Sequence, residues 1–304
     1  MKKVLSIVTI LSMAASVACA GELGVKGTFV EIVNTGGKKT VSKSYGFGKG
    51  RIKFEVKAND QVKFTLENKI EGAAGANGSM DIDYAFADIA LLGGDAKLRV
   101  GTVTDETAGF GGGIYQTNTF QDLTRSKGSG IEIFTKVGDV NLSVANISAP
   151  IDKDATKVYA AKASTTISGA GLGAIVKYGS KGDDSGLAAE LEASYKVGPV
   201  KVSGQYYMDL SDKAATVFKS KTKKQSFLGL YAEYDYGMGK FYVDDVLAAN
   251  DDTKETTWKK DYELSAGISY VLNDKAAVYF EMVQSKPNGK DAEGSSSLGM
   301  QIGF

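Results

Sequence analysis

The side chains able to do chemistry in this 304-residue chain are its charges: 36 Lys and Arg against 36 Asp and Glu, with no His and one Cys. Without an imidazole, Ser-His-Asp triads, Cys-His dyads and His-ligated metals are excluded. The remaining constellations are incomplete. Glu190 and Glu192 have the spacing of a carboxylate pair, and alternation puts both on one strand face, but nothing else supports glycoside hydrolysis. Asn250-Asp251-Asp252 offers oxygen ligands without the ordered spacing of a calcium loop. Gly111-Gly112-Gly113 lacks the following Lys-Ser/Thr and the strand–helix setting of a phosphate cradle. No metal or cofactor is expected. The even charge balance also argues against nucleic-acid binding, which draws on a basic excess.

What the charges do have is alternation. Arg51, Lys53, Glu55 and Lys57 alternate with Ile52, Phe54 and Val56. Lys63, Thr65 and Glu67 alternate with Val62, Phe64 and Leu66. Asp261, Glu263, Ser265, Gly267 and Ser269 alternate with Tyr262, Leu264, Ala266, Ile268 and Tyr270. The chain ends the same way, with Leu298, Met300, Ile302 and Phe304 at every second position. This is the period of strands with one apolar and one polar face. No long segment has a 3.6 period.

The connections sort by length. Seven short turns centre on Asn59-Asp60, Gly93-Gly94-Asp95, Val137-Gly138-Asp139, Ser168-Gly169-Ala170-Gly171, Gly198-Pro199, Gly237-Met238-Gly239 and Asn273-Asp274. Eight longer polar segments lie between them, near 34–50, 70–80, 103–129, 148–156, 179–186, 211–225, 250–260 and 286–294. That predicts sixteen strands, with fourteen as the alternative. Sixteen membrane strands of about 10 residues need roughly 160 residues, which the chain supplies. All three prolines, Pro150, Pro199 and Pro287, are expected in connections. Short turns at one end and long loops at the other are the mark of an outer-membrane antiparallel β-barrel. Closure is the only β solution in lipid, because an open edge leaves backbone groups unpaired.

The first residues carry an export signal. Lys2 and Lys3 precede an apolar run from Val4 to Ala18, and Ala18-Cys19-Ala20 resembles a cleavage site. Residues 1–20 are therefore expected to be a signal peptide and 21–304 one barrel domain. A lipoprotein signal built on Cys19 is the alternative, weakened by Ser16 where such signals usually have Leu. Cleavage after Ala20 removes Lys2, Lys3 and the only cysteine, leaving slightly more acids than bases.

In a barrel the charged face must look into the lumen, because Arg or Lys facing lipid at mid-depth costs roughly 2–4 kcal/mol. Arg51, Lys53, Lys57, Lys63 and Arg99 then line one side of a water-filled pore. Glu190, Glu192, Asp261, Glu263 and Glu281 line the second half, and Asp105, Glu106 and Asp122 lie on the longest connection. Opposed charges across a pore orient polar solutes and bias ion passage. The phase falters twice: Asp88 follows Tyr84 and Phe86, and Asp245 follows Phe241 and Val243, which aims both acids at lipid unless a bulge intervenes. Tyr231, Tyr234, Tyr236, Phe241 and Tyr270 are expected in interfacial girdles. Lys219, Lys221, Lys223 and Lys224 are expected on an exposed loop that touches lipopolysaccharide.

Three stretches of the mature chain resemble the general porins of Gram-negative bacteria: the terminal strand ending in Phe304, KLRVGT at 97–102, and the long following connection with FGG at 110–112 and TRSKGSGIEIF after it. The resemblance implies a trimeric sixteen-stranded diffusion channel whose third loop folds into the lumen. In that family, acids on this loop face basic residues on the wall. By position, Arg51 and Arg125 match wall bases, Lys26 matches one more loosely, and Asp105 matches a loop acid. Two departures stand out: Ala108-Gly109 replaces a common Pro-Glu, and Asp83 stands where a wall Arg is common. The candidate constriction is thus Arg51, Lys53, Lys63, Asp83, Asp105, Glu106, Arg125 and Lys26, with Phe304 as the assembly signal. The implied partners are outer-membrane lipid and lipopolysaccharide, two further copies of the chain, the assembly machinery, and small hydrophilic solutes and ions. No catalysis is expected, since barrel lipases and proteases lean on His. A substrate-specific channel and a non-conducting surface barrel are the rival readings.

Overall fold

The computed structural model describes residues 22–36, 45–71, 79–105, 125–151, 154–219, 225–250, 261–286 and 293–303. Among them are sixteen strands: β1 (Glu22–Gly36), β2 (Tyr45–Lys57), β3 (Val62–Glu71), β4 (Ser79–Leu91), β5 (Ala96–Thr104), β6 (Lys127–Val137), β7 (Val140–Ile151), β8 (Asp154–Ile167), β9 (Ala170–Lys181), β10 (Asp184–Val197), β11 (Val200–Asp209), β12 (Gln225–Asp235), β13 (Gly239–Asn250), β14 (Asp261–Asn273), β15 (Ala276–Lys286) and β16 (Glu293–Gly303). Each pairs antiparallel with its sequence neighbours. β16 returns to β1, with Thr28 opposite Gly303 and Val33 opposite Leu298, so the sheet closes on itself without an edge.

Period-two patterning makes these strands, and their turns are built by side chains that replace backbone partners. Asn59 Oδ1 accepts from the backbone N–H of Gln61 and Val62, both at 2.8 Å, between β2 and β3. Asn273 Oδ1 accepts from Lys275 N–H, and Asp235 Oδ1 from Gly237 N–H, each at 2.8 Å. All seven expected short turns are present at one end of the barrel.

The other end departs from expectation. The segments near 148–156 and 179–186 are not long loops. Strands β7 and β8 leave two residues between them, and so do β9 and β10. Extended pairing runs on to Ile151 opposite Asp154 and Lys181 opposite Asp184. Pro150 consequently lies inside β7, next to the hairpin and opposite Ala155, rather than in a connection. The segment near 211–225 also differs, because it contains a short helix, α1 (Ala214–Lys219).

Outward faces carry Val144, Val176, Leu191, Leu230, Phe241, Leu264, Phe280 and Leu298, all more than a third exposed. Asp88 does not join them. It sits opposite both Lys63 and Arg99, and Tyr84 and Phe86 share its face, so all three point into the barrel. The aromatic rings, not the acid, were the misleading signal. Asp245 keeps the outward phase, directly opposite exposed Leu230 and Leu264, with no register shift beside it. Tyr234, Phe241 and Tyr270 are exposed near the short-turn end, as a girdle requires. Tyr231 is buried instead, with its hydroxyl donating to Glu233 Oε2 at 2.6 Å. Lys221, Lys223 and Lys224 lie outside the described residues, and Lys219 ends α1.

Candidate functional site

Cross-strand pairing aligns the inward charges into rows. One row runs Lys57, Lys63, Asp88, Arg99, Glu132 across β2 to β6, each opposite the next. It continues through Ala145, Ala160, Lys177 and Ala188 to Asp209 on β11. Lys57 and Lys63 share a sign, but from Lys63 to Glu132 the sign alternates, and opposite charges at strand spacing neutralise one another locally while keeping fixed dipoles on the wall.

Individual contacts fix the geometry. Arg99 forks onto Asp88, Nε to Oδ1 at 2.7 Å and Nη2 to Oδ2 at 2.9 Å, while its guanidinium lies 3.8 Å from the Phe86 ring centre. This bidentate, stacked arrangement is one that Lys could not reproduce. Glu55 Oε1 takes both Lys53 at 2.8 Å and Lys63 at 2.9 Å. Asp83 stands at the register irregularity of β3 and β4 and pairs with Lys127, whose ammonium also lies 3.7 Å from the Tyr84 ring centre.

The third connection, whose residues 106–124 lie outside the described ones, begins after β5 and ends before β6. Its root is a closed neck. Asp105 N–H donates to Ser126 O at 3.1 Å, and Ser126 N–H donates to Asp105 Oδ1 at 2.6 Å. The free oxygen of Asp105 is taken by Lys177 Nζ of β9 at 2.9 Å, with both side chains at most 2% exposed. Lys162 of β8 donates to Thr104 O at 3.1 Å and pairs with Glu132. Two wall lysines therefore clamp the base of the connection. Asp105 is a buried anchor there rather than an acid facing open water. Arg125, half-buried, precedes the neck residue Ser126.

On β10 to β15 the charged side chains that face inward are mostly acids among the described residues. Glu190 and Glu192 are buried on β10, and Gln205 Nε2 donates to Glu192 Oε1 at 3.0 Å. Glu233 takes Tyr231 and Lys240 Nζ, the latter at 3.0 Å. Tyr242 lies over Gly267, where a Cβ would come within 2.3 Å of its ring, and its hydroxyl donates to Glu281 on β15. Gly267 thus lets an aromatic ring lie flat along the wall.

Of the expected constriction residues, Lys53, Lys63, Asp83, Asp105 and Arg125 lie among described side chains. For Arg51 the backbone alone is described, opposite Thr28 and Lys69, and for Lys26 likewise, opposite Lys53. Glu106 and Phe304 lie outside the described residues. Sequence reasoning missed Lys177, Lys162, Glu132 and Lys127. In β9 the signal was ambiguous, because Ile175 inside and Val176 outside are both apolar, so alternation did not tell which face held Lys177.

The fold is shared with solved outer-membrane proteins. The loop-L8 deletion mutant of OmpT from Vibrio cholerae superposes with a TM-score of 0.68 at 12% identity, covering 94% of this chain and 100% of that one. OmpF of Salmonella typhi, in complex with daunomycin, gives 0.67 at 11%, covering 94% and 98%. An anion-selective porin from Comamonas acidovorans gives 0.66 at 13%, covering 93% and 100%. No curated protein sequence matches the chain. The family model described as Gram-negative porin matches residues 5–290. With its closed sixteen-stranded wall and charged interior, the chain belongs to the Gram-negative porin family, outer-membrane barrels that pass small hydrophilic solutes by passive diffusion.

Proposed function

We propose that this porin is a general, size-sorting channel whose narrowest part is framed by the third connection and the charged wall of β2 to β9. The observation that carries this reading is the inward row from Lys57 to Glu132, which lines the lumen with fixed charges of both signs. Such a wall favours hydrated solutes over apolar ones without selecting one molecule. Arg51, Lys53, Lys63, Asp83, Arg125, Lys26 and Glu106 set the ion preference. Asp105 serves that group indirectly, by holding the loop root.

The protein carries out no catalysis, works as a homotrimer among outer-membrane lipid and lipopolysaccharide, and loses residues 1–20 on export. Reconstitution in planar bilayers tests the channel: stepwise conductance is expected, and its absence in a folded barrel sinks the reading. Liposome swelling with sugars, amino acids and small anions should sort them by size. Sharp preference for one solute at equal size would favour a substrate-specific channel instead. Arg51→Glu replaces a cation with an anion and is expected to move the reversal potential in a salt gradient toward cations. An unchanged potential would remove Arg51 from the constriction.

A further inference from the structure

The connection from β11 to β12 turns inward. After Asp209, the N–H groups of Leu210 and Ser211 donate to Leu187 O at 2.8 and 3.2 Å, and Ser211 Oγ accepts from Leu187 N–H at 2.9 Å. Lys213 Nζ then reaches Asp184 Oδ1 at 3.2 Å on the neighbouring β9–β10 hairpin. From there α1 begins, and it lies against β9 and β10 on their inner face. The face is settled by alternation. Lys177, Gly179, Gly186 and Ala188 are buried, while Tyr178 and Leu187, beside them in sequence, are exposed on the outside.

The wall is shaped for this helix. Gly179 and Gly186 stand directly opposite one another on β9 and β10. A Cβ on Gly186 would lie 2.7 Å from Ala214 Cα, and one on Gly179 would lie 2.6 Å from the Phe218 ring and 2.7 Å from Val217. Any larger residue at either position collides with the seated helix. Around the seat, the inward residues Ile147, Val158 and Ile175 are apolar and at most 2% exposed. In a water-filled lumen such a wall is unfavourable unless something covers it. A six-residue helix, in turn, is not stable alone in water and needs a packing partner. Ala214, Ala215 and Val217 are fully buried and Phe218 nearly so.

We infer that α1 is a second constriction element, a wedge from the β11–β12 connection fixed to the inner wall, and that it limits conductance and solute size together with the third connection. The two elements meet at one residue. The Lys177 ammonium lies 5.3 Å from the Phe218 ring centre and 5.2 Å from that of Tyr207, while it holds Asp105 at the root of the third connection. Displacing α1 therefore widens the lumen and also uncovers the lysine that anchors the other loop.

This inference rests on the porin reading, and the test separates the two. Replacing residues 214–219 with a Gly-Ser segment of equal length is expected to raise single-channel conductance about 1.5-fold or more, because conductance follows pore cross-section. It should also admit larger sugars in liposome swelling. Gly179→Val, which denies the helix its seat, should reproduce the effect and add nothing to the replacement. Wild-type conductance and size limit in a replacement that keeps heat-modifiable mobility would overturn the proposal. A readout that needs no channel activity, and holds even if the replacement fails to fold, is Val217→Cys in the otherwise intact chain. Its thiol should resist a charged methanethiosulfonate in the folded barrel and react after heating, with wild type as the control for Cys19. Prompt modification in the folded barrel would equally overturn it, whereas a wild type that never conducts counts against the porin reading alone.

Discussion

Lys177 and Asp105 have both left water almost completely, so each offsets the other's desolvation. Removing one partner of such a pair strands a buried charge, at a cost of about 3–5 kcal/mol. Lys177→Met is expected to lower barrel stability by that order in urea unfolding from lipid vesicles. Adding Asp105→Asn should recover most of the loss, since the second change removes the stranded charge but keeps an acceptor for Ser126 N–H. A double variant as unstable as the single one would show that the pair is not the source of the loss. The same residue explains part of what alternation left unread. Charge placement was legible where the opposite face was plainly apolar, as at Lys53 and Lys63 between Ile52, Phe54 and Phe64. It was illegible at Lys177, where both faces of the strand carry aliphatic residues.

At the scale of elements, strands and short turns were read correctly because each rests on local chemistry: period two in the strands, Asn and Asp side chains in the turns. Three features depended on distant partners and were missed. The hairpins after β7 and β9 extend further than their polar composition suggests, because pairing with neighbours carries the strand onward. Helix α1 is too short to show a period, and it exists only against a wall contributed by β9 and β10. The phase of β4 was misassigned because Phe86 looks like a lipid-facing residue, whereas its ring is the platform for Arg99 and small Ala85 and Ala87 face outward. Asp245 of β13 is the converse, an acid that stays outside between Leu230 and Leu264. A lipid-facing Asp costs less than Arg or Lys but is still unfavourable. Asp245→Leu is therefore expected to stabilise the barrel by about 1 kcal/mol in vesicle unfolding, using the lower end of the depth-dependent range. A destabilised variant would instead identify this carboxylate as bound by something that covers the face.

At the scale of the whole molecule, closure decides everything else. Until β16 joins β1, the sheet has two open edges, and in a membrane those unpaired backbone groups are untenable. β16 is the strand that closes this seam. Its outward residues Leu298 and Ile302 are exposed toward lipid, and Phe304 follows them in sequence phase. β16 also pairs Leu298 with Phe280 and Ile302 with Ala276 on β15, so one strand holds both halves of the seam. After Glu293 at its start, the positions that alternate with the stripe are small or uncharged, Ser295, Ser297, Gly299, Gln301 and Gly303, so the apolar stripe is the main feature of its second half. Deleting Phe304 removes the last member of that stripe without touching any described ladder pair, and it is expected to block assembly rather than to weaken the finished barrel. The measurement is the fraction of heat-modifiable protein in outer-membrane preparations, compared with the urea stability of whatever does fold. A strongly reduced folded fraction with wild-type stability places the role of Phe304 in recognition. A normal folded fraction would mean that the ladder from Thr28 opposite Gly303 onward closes the barrel without it.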